Sequence, residues 1–106
     1  MKRGEVYWAN VPAPFGRRPV VVLTRDAAIP VLRSVVVAPV SRTVRGIASE
    51  VPLGSEEGLA HRSAATCDSL VTLPRSSFDP EPVGRLARRK IAALDSALRY
   101  ALGVRF

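Results

Sequence analysis

Arg17 and Arg18 stand directly before Pro19 and the apolar run Val20-Val21-Val22-Leu23. A second apolar run ends in Ser41-Arg42-Thr43, with Arg45 two residues on. Guanidinium groups fork onto phosphate oxygens, and hydroxyls donate to them. Other chemistries are poorly supplied. Cys67 and His61 are single residues of their kinds, so there is no Cys/His cluster for zinc and no pair of histidines to act as acid and base. Neighbouring aspartates for a two-metal site are missing, as is a glycine-rich phosphate loop ending in Lys-Ser or Lys-Thr. Arginine, serine, threonine and one well-placed acid still suit one reaction, the cleavage of RNA by its own 2′-hydroxyl. The substrate brings the nucleophile, and the protein must align it, assist the proton transfers and neutralise charge on the phosphorane. Cations and hydrogen-bond donors can do the last of these without a metal. Proton transfer is the weak step, because an arginine side chain keeps its proton at any ordinary pH.

The charge balance points the same way. The chain has 106 residues and a net charge of +7, which favours a polyanionic partner, nucleic acid or an acidic protein. Arginine supplies most of that charge. The chain is also rich in Ala, Val, Pro and Gly, the signature of GC-rich coding, so the net charge carries the argument and the Arg/Lys ratio does not. Apolar residues make up 47% and charged residues 24%, ordinary for one folded domain spanning residues 1–106. No apolar run approaches the roughly 18 residues of a membrane helix. Met1-Lys2-Arg3-Gly4-Glu5 leads straight into an alternating pattern rather than the apolar segment of a signal peptide. A cytoplasmic location without membrane attachment is expected. A lone cysteine fits a reducing compartment, and Cys67 is expected to be a small buried residue.

Short strands must hold these groups. Glu5 to Val11 alternates as a first strand, with Val6, Trp8 and Val11 expected inward and Glu5, Tyr7 and Ala9 outward. A lone tryptophan there is more often core than a base-stacking platform. Pro12 to Gly16 is a loop carrying Phe15, the better stacking candidate. Pro19 to Thr24 is expected as a strand buried on both faces, with Pro19 tolerated as its first residue. Arg25 to Pro30 reads as a turn or a short helical piece. Ser34 to Ser41 is a third strand, in which Pro39 suggests an edge or a bulge. Ser49 to Leu53, Ser63 to Cys67 and Ser69 to Pro74 follow as shorter strands, the last two around Asp68. From Arg88 the period becomes helical: Ile91, Leu94, Leu98 and Leu102 form a stripe for core or dimer packing. Asp95 and Arg99 stand four apart on the polar side. Ala87 is a poor N-cap, and Gly103 stands where a C-terminal glycine belongs. The architecture expected is α+β, a small barrel with one C-terminal helix.

Several segments together carry a resemblance. They are Lys2-Arg3-Gly4-Glu5-Val6-Tyr7-Trp8, Arg18-Pro19-Val20-Val21-Val22-Leu23, Val36-Val37-Ala38-Pro39-Val40-Ser41, Leu70-Val71-Thr72-Leu73-Pro74 and Leu98-Arg99-Tyr100-Ala101-Leu102-Gly103. In this order the chain resembles the MazF/PemK family of toxin endoribonucleases over nearly its whole length. The resemblance implies an SH3-like β-barrel of the CcdB/MazF type with a C-terminal α-helix, packed as a homodimer. It implies metal-independent, cofactor-free cleavage of single-stranded RNA, leaving a 2′,3′-cyclic phosphate and a 5′-hydroxyl. The family's catalytic arginine corresponds to Arg18. Its catalytic threonine corresponds to Ser41, which keeps the hydroxyl and loses the methyl group, with Thr43 close by as a further hydroxyl. Arg17, Arg42 and Arg45 are candidates for the RNA backbone, Phe15 for a base, and Asp68 for a base edge or for holding an arginine. The first loop departs from many relatives, since Pro12 to Arg17 contains no acid to serve as a base. The partner implied is a cognate antitoxin with a disordered acidic segment, and operator DNA enters only through the joint complex.

Two other functions fit the same barrel. A CcdB-like gyrase-binding toxin works through a C-terminal tryptophan, whereas this chain ends Gly103-Val104-Arg105-Phe106. A non-catalytic nucleic-acid-binding barrel would need basic residues but no particular hydroxyl beside Arg18.

Overall fold

A computed structural model describes residues 1–105; Phe106, and with it the comparison to a C-terminal tryptophan, lies outside the described residues. The strands are β1 (Glu5–Val11), β2 (Gly16–Val22), β3 (Ser34–Ser41), β4 (Glu50–Leu53), β5 (Ser63–Thr66), β6 (Val71–Pro74) and β7 (Gly84–Arg85), followed by the helix α1 (Arg88–Leu102). The strands pair antiparallel in the order β4-β5-β3-β2-β1-β7, with β6 also on β3. The sheet curls into a partial barrel of the SH3-like type, with α1 packed on one side.

Strand β3 is the hub. One edge pairs β2, while the other pairs β6 along Ser34–Val37 and β5 along Val40–Ser41. Pro39 therefore does not mark an edge strand. It falls in the gap where the partner changes from β6 to β5, so that edge has no ladder pairing for its missing N–H to break.

The valine run of β2 is buried on both faces, as its composition predicts. Val21 belongs to the core beneath α1, with Val6, Val51, Leu86 and Leu94. Val20 and Val22 belong to a second core on the opposite face, with Tyr7, Ala9, Val35 and Leu73. This second core corrects the reading of β1. Tyr7 and Ala9 are buried, whereas Trp8 is 38% exposed. Strict alternation assumes one wet face, and here both faces are covered. Val6 and Trp8 share a face, but only Val6 lies under the helix.

Strand β2 also begins earlier than expected. Gly16, Arg17 and Arg18 pair with Val11, Asn10 and Ala9 of β1, so both arginines are strand residues and Pro19 is internal. Asp68 lies in the turn between β5 and β6, since β6 starts at Val71. Strand β7 went unread in the sequence, whereas the acidic stretch Gly54 to Gly58 reads as a turn and forms a 3-10 turn at Ser55–Glu57. The two touch closely: a Cβ on Gly84 would stand 2.2 Å from the Glu57 carbonyl oxygen, and one on Gly58 2.0 Å from that of Val83.

The helix matches its sequence pattern at both ends. Ala87 gives no side-chain cap, while Gly103 adopts φ +70° and Val104 N–H bonds the Arg99 carbonyl at 2.9 Å. Leu94 and Ala97 are buried, Ile91 and Leu98 half-buried, and Leu102 is 61% exposed. Asp95 accepts from Arg3 Nη2 at 2.8 Å. Among the described residues no helix is long and apolar enough to cross a membrane.

Cys67 is fully buried, and its thiol is pushed up to about 11, first by burial and then by the charge of Asp68. The unfolded thiol ionises near about 8.5. The folded state therefore holds the proton longer, and stability falls as pH rises from that value toward about 11. A disulfide-exchange reagent at pH 8 is expected to leave the folded protein unlabelled and to titrate the thiol after denaturation. Rapid labelling of the folded chain would show that this site opens.

Candidate active site

The rigid part of the site is the β2–β3 pair. Alternation along β2 puts Arg18 on the face of Val20 and Val22, toward the second core, against which Phe15 also packs. The Arg18 guanidinium is partly buried and clamped to the loop before it. Nε and Nη2 both donate to the Phe15 carbonyl, at 3.0 and 2.5 Å, and Cζ lies 5.5 Å from the Phe15 ring centroid. Nη1 makes only a long contact, 3.5 Å, to the Val40 carbonyl. That nitrogen keeps donor capacity for an anion.

Ser41 ends β3. Its Oγ accepts the Thr43 N–H at 3.0 Å, which leaves its own O–H available to donate. The turn-forming role of this serine and a role toward a ligand thus coexist. Arg18 and Ser41 open onto one polar pocket lined also by Phe15, Thr43, Arg45, Glu50, Thr66 and Ser69. Five of the residues singled out in the sequence, Phe15, Arg18, Ser41, Thr43 and Arg45, therefore meet in one place.

Glu50, Thr66 and Ser69 were not anticipated. Glu50 Oε1 accepts the N–H groups of Arg45 and Gly46, each at 3.0 Å. Thr66 pairs with Glu50 across β4 and β5 and donates its hydroxyl to the Pro39 carbonyl at 2.8 Å. The acid following the basic Arg42–Arg45 turn was a local signal, but only the β4–β5 pairing carries it to the pocket.

The remaining candidates lie elsewhere. Arg17 leaves β2 on the face opposite Arg18. Its Nη2 bonds Asp79 at 2.7 Å, and its Cζ lies 5.6 Å from the Trp8 ring centroid. The hydrogen bond raises the pKa of Arg17 and holds the Asp79 carboxyl below its usual range. Asp79 thus favours the folded state above the ordinary carboxyl range, and that contribution is lost as pH falls through its lowered value. Both partners are exposed, so the pair adds little stability. Arg42 lines an apolar groove on that same face, with Trp8, Pro19, Val40, Leu59 and His61. Asp68 accepts the hydroxyl of buried Ser49 at 2.5 Å and sits beside the pocket residue Ser69 without lining the pocket itself.

A groove of apolar side chains occupies a third region. Leu23, Leu32, Val36, Leu70, Leu98 and Leu102 line it, with exposed Tyr100 and Val104 on the same end of the helix.

Comparison with known proteins follows this geometry. Residues 2–102 match the family model described as the PemK-like, MazF-like toxin of type II toxin–antitoxin systems. The chain is 47% identical to the probable endoribonuclease MazF5 of Mycobacterium tuberculosis over 102 residues, 94% of this chain and 91% of that protein. The fold superposes on the Mycobacterium tuberculosis toxin MazF-mt6 with a TM-score of 0.88 and 33% identity, over 96% of this chain and 99% of that one. An endoribonuclease solved in complex with its cognate antitoxin, from a mycobacterial species, gives a TM-score of 0.87 over 100% of this chain and 98% of that one. At 23% identity it speaks for the fold alone.

Proposed function

Because the chain belongs to the family of PemK-like, MazF-like toxins of type II toxin–antitoxin systems, we propose that it is a sequence-specific endoribonuclease that cleaves single-stranded RNA without a metal. One observation carries the reading: Arg18 and Ser41, from different strands, open onto a single polar pocket. In this reading the scissile phosphate docks on Arg18, whose Nη1 and Nη2 face the non-bridging oxygens. The 2′-oxygen attacks phosphorus, the bond to the 5′-oxygen breaks, and the products are a 2′,3′-cyclic phosphate and a 5′-hydroxyl. Arg18 and the Ser41 hydroxyl act most strongly on the phosphorane, where the extra negative charge appears, and so stabilise the transition state over bound RNA. Phe15 offers a face for a base, and Thr43 and Arg45 contact the neighbouring nucleotide. Arg17 and Arg42, on the other face, serve the RNA backbone beyond the cleaved bond as sequence-independent cations. Asp68, held by Ser49 beside the pocket, is read as reaching a base edge.

The apolar groove ending at Leu102 is read as the face on which two copies pack into a homodimer, because exposed contiguous apolar surface marks interaction sites. A charge of +7 suits an acidic antitoxin segment that covers the RNA-binding surface and silences the enzyme in the cytoplasm. Operator DNA is bound only by the joint complex.

The test is direct. Purified protein is mixed with a long single-stranded RNA in excess chelator, and the 5′ ends are mapped. The expected products carry 5′-hydroxyls, so they join an adaptor only after kinase treatment, and their ends share one short sequence. RNA left intact in chelator overturns the proposal.

A further inference from the structure

The ribonuclease reading leaves one step without an agent, the removal of the 2′-hydroxyl proton. Arg18 holds its own proton too tightly, and the Ser41, Thr43, Thr66 and Ser69 hydroxyls are not bases at neutral pH. The loop Pro12 to Arg17 contains no carboxylate. Two other acids near the arginines lie outside the pocket: Asp79 pairs with Arg17 on the far face, and Asp68 accepts from Ser49 without lining it. Among the residues lining the pocket, Glu50 is the one carboxylate.

Its geometry suits a base. Oε1 is tied by the Arg45 and Gly46 N–H groups, which orient the carboxylate from the backbone of the β3–β4 loop. Oε2 accepts no hydrogen bond among the described residues. Glu50 opens β4, so its backbone is fixed by pairing with Thr66. A carboxylate with one oxygen anchored and one free, on a rigid element beside a phosphate-binding arginine, is how a general base is held. Resting on the ribonuclease reading, we propose that Glu50 is the general base, taking over from β4 the role that the acid-free first loop leaves empty.

The step balances as follows. Glu50 Oε2 takes the 2′-hydroxyl proton as the 2′-oxygen bonds to phosphorus. The bond from phosphorus to the 5′-oxygen breaks, and that oxygen takes a proton from a water at the open mouth of the pocket. Glu50 then returns its proton to the resulting hydroxide. No oxidant, metal or cofactor enters.

Glu50→Gln tests this, because glutamine keeps the Oε1 acceptor for the two backbone N–H groups while an uncharged, non-basic amide nitrogen replaces Oε2. The substrate is a short RNA spanning the mapped cleavage site, and the binding ligand is the same RNA with a 2′-deoxy residue at that site. Single-turnover cleavage by E50Q is expected to fall roughly 10²–10⁴-fold, with binding of the deoxy analogue not weakened and the melting temperature unchanged. Cleavage within threefold of wild type overturns the inference. So does a rate loss matched by equal loss of binding or melting temperature, which would mark Glu50 as loop support only. Wild-type protein that leaves the RNA intact fails the ribonuclease reading instead, so the two failures are distinct.

Discussion

Arg18→Ala should lower single-turnover RNA cleavage by roughly 10²–10³-fold, the cost of removing one preorganised donor from a developing oxyanion. The folded state should lose little, within about 1 kcal/mol. Arg18 is only partly buried, and the carbonyls it bonds, Phe15 and Val40, can take water in its place. Arg18→Lys should restore only part of the rate. Lysine keeps the charge but loses the fork that reaches two phosphate oxygens while staying tied to the Phe15 carbonyl. Ser41→Ala should cost less, roughly 10- to 100-fold, because it removes one hydrogen bond to a charged group. Its cost includes the Thr43 N–H, which loses its acceptor. The measurement is cleavage rate alongside thermal melting for each variant. Arg18→Ala cutting at the wild-type rate would remove Arg18 from the chemistry, whatever the family.

The elements with strong local signals were readable in the sequence. Strands β1 and β3 and the helix run over the residues expected, because alternation, β-branched composition and the helical stripe are properties of the segments themselves. Strand β2 was misplaced: it begins at Gly16 rather than Pro19 and ends at Val22 rather than Thr24. Nothing local marks Gly16-Arg17-Arg18 as strand, and what makes them so is the partner β1, whose ladder continues out to Val11. That extension answers what two cations do at the mouth of a buried strand. Successive strand residues point to opposite faces, so Arg17 goes to Trp8 and Asp79 while Arg18 goes to the pocket. Trp8 was misjudged because an alternation rule cannot tell how far the helix covers one face. The site was half legible. Arg18 and Ser41 flank apolar runs and announce themselves, whereas Glu50 reaches them through pairing of β4 with β5 and of β5 with β3, a relation no local pattern contains.

Leu94→Ala should have the largest effect on stability, about 2–5 kcal/mol. Leu94 has no exposed surface and packs in the core beneath α1, with Val6, Val21, Val51 and Leu86. The helix has no side-chain N-cap, so its stability in place comes mainly from the face it buries. That face is narrow: Leu94 and Ala97 are its buried residues, and Ile91 and Leu98 are only half covered. Against a total of about 5–15 kcal/mol for a domain of this kind, the loss is a large fraction. At about 4–8 °C per kcal/mol, the melting temperature should drop by more than about 8 °C. Denaturant titration and thermal melting measure it, and an unchanged midpoint would mean that the helix does not rest on the sheet through this residue. Cleavage provides the control. Well below its lowered midpoint, the variant should cut RNA at close to the wild-type rate, since Leu94 does not line the pocket. Arg18→Ala should show the reverse, a normal melt with a lost rate. Activity and folding would then separate along the physical division seen in the structure, with the core beneath α1 on one side of the sheet and Arg18 on the other.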